Sequence, residues 1–113
     1  MLTIEKLRAF GANADEGLHR CMNNEAFYLR LIDRAMQDNT IGQLKEAVEA
    51  GNLERGFELA HALKGTMGNL SLTPISRPVE EITELLRART QTDYAPLLAE
   101  ITARRDELLE LLR

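Results

Sequence analysis

The chain has one cysteine, no tryptophan and only three phenylalanine and two tyrosine residues among its 113 positions. A single thiol cannot form an internal disulfide, which is consistent with a reducing compartment. With so few aromatic rings, the core has to be built mainly from Leu, Ile and Met. Strand-forming runs of Val, Ile and Thr are also absent, whereas Ala, Leu, Glu and Arg dominate. This composition predicts an all-α fold.

Other absences exclude classes of partner. The net charge is −4 and there is no basic cluster, which argues against nucleic acid. No apolar run approaches the roughly 18 residues of a membrane span, and no signal peptide precedes the first helix, so we expect a cytoplasmic protein with no membrane partner. The length predicts one domain over residues 1–113.

Apolar residues recur at helical spacing along most of the chain. Thr3 is expected to cap a first short helix that ends at Gly11, and Asn13 to open a second. Longer helices follow, with predicted spans of roughly 25–38, 40–50, 53–70, 74–89 and 93–112. We interpret the whole as an antiparallel up-down four-helix bundle with short additional N-terminal helices.

Capping patterns place the helix starts. Thr40 with Gln43 has the capping-box spacing and is the predicted start of its helix. Thr73 before Pro74 is a suitable N-cap and first-residue pair, and Thr92 or Asp93 is the expected cap of the last helix. Pro78 removes one hydrogen bond from the helix that it interrupts, so a kink is expected there.

The segment from 53 to 70 separates into two faces when it is drawn as a helix at about 100° per residue. An apolar stripe is predicted to face the core: Leu59, Leu63, Thr66, Met67 and Leu70. The opposite face surrounds a histidine: Glu54, Phe57, Glu58, His61, Lys64, Gly65 and Gly68. A glycine inside a helix costs about 1 kcal/mol relative to alanine. Two of them beside one histidine indicate space kept for something that approaches the ring.

His61 is therefore the candidate nucleophile, since the core stripe on the other face leaves it free. The ammonium group of Lys64 can stabilise negative charge on a group attached to the ring, such as a phosphoryl group. Simpler interpretations remain open. The histidine can be an ordinary solvated residue, Lys64 can pair with Glu58, and Phe57 can pack against a neighbouring helix instead of serving as an apolar docking anchor.

The run from Ala60 to Lys64-Gly65, with Gly68 three positions further on, resembles the signature of histidine phosphotransfer (HPt) domains of bacterial two-component phosphorelays. The upstream segments 10–12 and 25–29 are also similar to helices that precede the motif in that family. One difference is Ser71, which stands where such domains frequently have glycine. The resemblance covers most of the chain, although its specificity lies in residues 60–70.

The resemblance implies that His61 is phosphorylated at Nε2 from an aspartyl phosphate on a receiver domain and passes the group to another receiver. It implies that Lys64 steadies the phosphoryl oxygens, while Gly65 and Gly68 let the receiver close over the ring. The expected partners are response-regulator receiver domains and a hybrid sensor histidine kinase. No cofactor is expected in this chain, because Mg²⁺ belongs to the receiver. Monomer is the expected state.

The receiver is expected to dock on a rim formed by Phe57, Glu58 and the facing side of helix 25–38. No nucleotide-binding loop is present, because Lys64-Gly65-Thr66 has the wrong order for one, so we expect a phosphoryl carrier instead of an enzyme. No metal site is expected either, since His19 and Cys21 lie about 200° apart on a helix.

Two alternatives stay open. One is a regulatory adaptor that binds a kinase or response regulator without carrying phosphate. The other is a small helical enzyme that uses His61 as a general base, which requires a concave pocket around the ring.

Overall fold

The computed structural model describes all 113 residues, and it contains seven helices and no strand. None of the helices combines the length and the hydropathy that crossing a bilayer requires. In chain order the helices are α1 (Ile4–Phe10), α2 (Ala14–Arg20), α3 (Glu25–Gln37), α4 (Thr40–Glu49), α5 (Leu53–Asn69), α6 (Thr73–Arg87) and α7 (Ala95–Leu112).

Several helix starts are closed by side-chain caps, and those at Thr3 and Asn13 confirm predicted ones. The Thr3 hydroxyl accepts a hydrogen bond from the backbone N–H of Lys6 at 3.1 Å, as an N-cap does. Asn13 and Asn52 cap α2 and α5 in the same manner. Gly11 ends α1 with φ +105°, a left-handed conformation in which glycine carries no steric penalty.

Three predicted starts are wrong by one or two residues. α4 has Asn39 as its N-cap, without a side-chain cap bond, since its helical hydrogen bonding begins with the Gln43 N–H donating to the Asn39 carbonyl. Thr73 lies inside α6, since helical hydrogen bonding begins at the carbonyl of Leu72. The N-cap of α7 is Tyr94, although the neighbouring Asp93 carboxylate accepts from the Ala95 N–H at 3.0 Å.

Pro78 lies within α6, which continues through it to Arg87. The proline is buried, and because it has no backbone N–H, it donates no hydrogen bond to the Pro74 carbonyl one turn earlier. The kink expected there stays a prediction.

The helices form the four rods of an up-down bundle, and the first rod is broken. Val48, near the end of α4, lies beside Leu98 near the start of α7. Leu29, early in α3, lies beside Leu112 at the end of α7. α7 therefore runs antiparallel to α3 and α4, which follow each other end to end. α5 packs against α4 and α6, and α6 packs against α7. The predicted four-helix bundle with short N-terminal helices is confirmed.

The buried face of α5 lacks one residue of the predicted stripe, Thr66, and contains Gly56 and Ala60, which were not predicted to belong to it. Its buried residues are Gly56, Leu59, Ala60, Leu63 and Met67. Thr66 was predicted to face the core, but it is exposed and its hydroxyl donates to the Ala62 carbonyl at 3.2 Å. The buried side includes small residues. A Cβ atom on Gly56 would lie 3.0 Å from the Val48 side chain, so glycine permits the close approach of α5 to α4 at this point. Thr66 lies at the edge of the predicted stripe, and the structure leaves it exposed.

A buried tyrosine holds the N-terminal helices against the end of α5. The Tyr28 hydroxyl donates to the Leu70 carbonyl at 2.7 Å, and burial raises the pKa of Tyr28 to about 12. The Asn13 N–H donates to the Ser71 carbonyl at 3.0 Å. Gly17 covers the tyrosine, and a Cβ atom there would lie 2.2 Å from the phenolic oxygen. α2 is therefore fixed beside the residues that follow α5.

Gly17→Ala is expected to lower the free energy of unfolding by about 1–3 kcal/mol, because the added methyl group overpacks the fixed Tyr28 ring. Urea denaturation followed by circular dichroism measures the change. The matched control is Gly65→Ala, where a Cβ atom meets nothing within 4 Å. That control is expected to gain up to about 1 kcal/mol from helix propensity. Equal stability of the two variants would contradict this account of α2 packing.

Candidate functional site

His61 lies on the exposed face of α5, and the opposite face of the helix is buried. Ala60 and Leu63 anchor the helix in the core, so the imidazole projects from a backbone that packing holds in place. The structure thus places the histidine on the surface, as the two-faced pattern of the sequence predicts.

Lys64 is partly exposed one helical turn after His61, and it makes no hydrogen bond or ion pair within the chain. The alternative pairing of Lys64 with Glu58 is wrong, because the Glu58 carboxylate pairs with Arg55 at 3.3 Å. The ammonium group next to the histidine is consequently free to meet an anion from outside.

Gly65 and Gly68 lie on the same exposed side of α5 as the histidine. A Cβ atom on either one would have no heavy atom within 4 Å. Internal packing therefore does not require glycine at these two positions, in contrast to Gly17 and Gly56, which face buried neighbours. The open strip beside His61 is available to another molecule.

Phe57 is half-buried and stacks on the histidine. The ring centroids of Phe57 and His61 are 5.7 Å apart and their planes differ by 26°, a separation typical of interacting aromatic pairs. The guanidinium carbons of Arg87 and Arg89 lie 4.9 and 5.7 Å from the centroid of the same phenylalanine ring. These contacts restrict the orientation of the imidazole, and they occupy much of the ring surface that was predicted as a docking anchor.

An open groove without any hydrophobic side chain contains the histidine. Its walls come from α2, α5 and α6, and its lining residues are Glu16, Arg20, His61, Lys64, Gly65, Gly68, Asn69, Thr73, Ser76 and Glu80. The predicted rim on helix 25–38 does not line this groove, because none of these residues belongs to α3, and docking of a receiver on that rim stays a prediction. The short helix α2 occupies that place, since Gly17 and Tyr28 draw it toward the end of α5.

The family model for the Hpt domain matches residues 31–113. The chain belongs to the Hpt-domain family. Hpt domains are phosphoryl carriers of two-component phosphorelays; they interact with receiver domains and kinases and have no catalytic site of their own. No curated protein and no solved structure matches the chain. In this Hpt domain α1, α2 and the first part of α3 precede the matched region.

Sequence reasoning did not place Arg20 and Glu16 at the site of this Hpt domain. Arg20 donates from Nη1 to the Gly68 carbonyl at 2.9 Å, and its Nη2 lies 3.3 Å from a carboxylate oxygen of Glu16. That oxygen also accepts from the Ser71 hydroxyl at 2.9 Å. The available signal was Ser71 itself, a polar residue at a position with φ +57° that favours glycine. Nothing in the sequence indicates which side chain it contacts.

Phe57→Leu is expected to move the imidazole proton resonances of His61 downfield in NMR spectra, because the shielding ring current of the stacked aromatic is lost while most of the side-chain volume is kept. His19, which is exposed on α2, serves as the internal reference. Unchanged His61 resonances would show that the two rings do not stack in solution.

Proposed function

We propose that this Hpt domain accepts a phosphoryl group on His61 from the aspartyl phosphate of a receiver domain and passes it to another receiver. The observation that supports this most strongly is the combination of an exposed imidazole, a free ammonium group and a strip of two glycines on one face of a packed helix. Such a surface can present a nucleophile to a second protein without any rearrangement of the bundle.

In the proposed step, the lone pair on Nε2 of the neutral His61 ring attacks the phosphorus atom of the aspartyl phosphate. The N–P bond forms while the bond between phosphorus and the carboxylate oxygen breaks, and the aspartate leaves with that electron pair. The proton on Nδ1 is not required for the transfer. Attack by a second receiver's aspartate on the phosphohistidine reverses these bonds and regenerates the imidazole.

The residues around the ring supply position and charge, which account for most of the catalysis in phosphoryl transfer. Phe57 orients the imidazole through the stacked contact, and Lys64 stabilises the phosphoryl oxygens. Gly65 and Gly68 leave room for the surface of the receiver. Mg²⁺, which we expect to be bound by the receiver, neutralises charge on the phosphoryl group there.

Two other functions have less support. A general-base enzyme needs an enclosed pocket that binds most of its substrate, usually with apolar walls, whereas the groove around His61 is open and has no hydrophobic lining. An adaptor that never carries phosphate has no use for the unpaired Lys64 beside an exposed histidine. The carrier explains both features.

Incubation with a phosphorylated receiver is expected to transfer radioactive phosphate to the wild-type chain. The label should be labile to acid and stable to alkali, as a phosphoramidate bond is. His61→Gln should carry no label, while His19→Gln, which changes the other histidine, should be labelled like the wild type. Binding of the receiver without label on the wild type would support the adaptor instead.

Gly65→Ala is expected to slow transfer from the receiver by at least about tenfold, because the added methyl group occupies the strip on which the receiver closes and small displacements of reacting groups are costly. Since the same variant is expected to be as stable as the wild type or more so, its slower transfer cannot be ascribed to unfolding. Ala62→Ser, which adds one atom elsewhere on the exposed surface of α5, is the control. Unchanged transfer in Gly65→Ala would contradict the proposed role of the glycine strip.

A further inference from the structure

The N-terminal helix α2 brings a second cation into the groove that holds His61. Arg20 and Lys64 both line this groove. α2 ends at Arg20 and thus lies wholly before residue 31, where the match to the family begins. Because the groove has no hydrophobic side chain, a protein that enters it meets charged groups and hydrogen-bonding groups only.

The Arg20 guanidinium is held in place before any partner arrives. It donates to the Gly68 carbonyl at 2.9 Å and pairs with Glu16, which in turn accepts from the Ser71 hydroxyl. A side chain that is already ordered loses less conformational entropy when it binds. About half of the arginine side chain is still exposed (46%), and a guanidinium has five N–H donors, so donors remain for a partner.

The position of Arg20 indicates contact with the partner protein instead of the phosphoryl group. Gly68 follows His61 by seven residues, which places the carbonyl that anchors Arg20 about 10 Å along the helix axis from the histidine. This separation is too long for a hydrogen bond to a phosphoryl group on the ring. It is comparable to the Debye length of about 8–10 Å at moderate ionic strength, so the charge acts on groups that surround the phosphoryl site.

We propose that Arg20, oriented by Glu16 and Ser71, is a docking residue for acidic side chains of the receiver domain next to its phosphorylated aspartate. This inference rests on the proposed function. The α2 and α5 side of the groove carries the two cations Arg20 and Lys64 and one carboxylate, Glu16, which leaves a net charge of +1, whereas Glu80, which has no ion pair, lies on α6. An acidic surface is attracted to the first side, and this polarity fixes the orientation in which the receiver docks.

Arg20 also has a structural task that a test has to separate from docking. The last turn of α5 has no basic residue of its own, and the Gly68 carbonyl near its end accepts from the guanidinium. Cations at this end of a helix are stabilising. Removing Arg20 is therefore expected to lower the melting temperature as well.

The test compares the kinetics of phosphoryl transfer from one phosphorylated receiver to wild type, Arg20→Ala, Arg20→Lys and Arg8→Ala, well below all melting transitions. Arg8, on α1, is the matched control. It is similarly exposed (53%) and pairs with an acidic residue of α2, Asp15, but it does not line the groove. Arg20→Ala is expected to raise KM about 5- to 10-fold with a smaller change in kcat, and to weaken the dependence of kcat/KM on salt. Arg20→Lys should keep the salt dependence, and Arg8→Ala should keep the wild-type KM.

The outcomes distinguish this inference from the proposed function. If the wild type receives no phosphate, the proposed function fails and the docking role fails with it. If the wild type is phosphorylated and Arg20→Ala has the same KM and salt dependence as Arg8→Ala, only the docking role is overturned. The docking role is equally overturned if Arg20→Ala changes kcat alone in proportion to its loss of stability.

Discussion

The close packing of α5 against α4 and α6 is the constraint on which the rest of the molecule depends. Gly56 and Ala60 are small enough for the helices to approach, and Leu59, Leu63 and Met67 fill the space that remains. A helix that is buried along one face cannot rotate about its axis without exposing apolar surface. The opposite face, with His61 and Lys64, is thereby fixed toward the solvent.

Side-chain contacts then restrain this fixed helix on the N-terminal and the C-terminal side of His61. Phe57, which stacks on His61 and contacts Arg87 and Arg89 at the C-terminal end of α6, restrains the imidazole on the N-terminal side. Arg20 restrains the carbonyl of Gly68 on the C-terminal side. Between these contacts lie Lys64 and the two open glycines, which have no internal partner. The arrangement combines a rigid frame with an unoccupied centre, which suits a surface meant for temporary contact with other proteins.

Much of this could be predicted from the sequence, because the signals are local. Hydrophobic spacing identifies the helices, asparagine and threonine side chains mark several of their starts, and the histidine face is visible on a helical projection. Thr66 shows the limit of such projection. Its angle on the helix puts it at the edge of the apolar stripe, and only the packed structure shows that it is exposed.

The border of the site could not be predicted for a related reason. Which helix lies beside His61 depends on contacts between residues far apart in the chain, such as the Tyr28 hydroxyl with the Leu70 carbonyl. These contacts bring α2 to the groove and leave α3 away from it. Glu16 and Arg20 are ordinary surface residues in the sequence, and they acquire a place in the site only through that arrangement.

The guanidinium that closes the end of α5 has a thermodynamic consequence. A carboxylate of another protein that draws Arg20 away from the Gly68 carbonyl removes one of the two donors to this acceptor, the other being the Ser71 N–H at 3.0 Å, so association and the order of the last helical turn become linked quantities. Linkage is reciprocal. If binding of the partner protein changes the equilibrium between the ordered and disordered last turn by some factor, ordering of that turn changes the affinity for the partner by the same factor. The order of the last turn of α5 would then depend on whether a protein is bound in the groove.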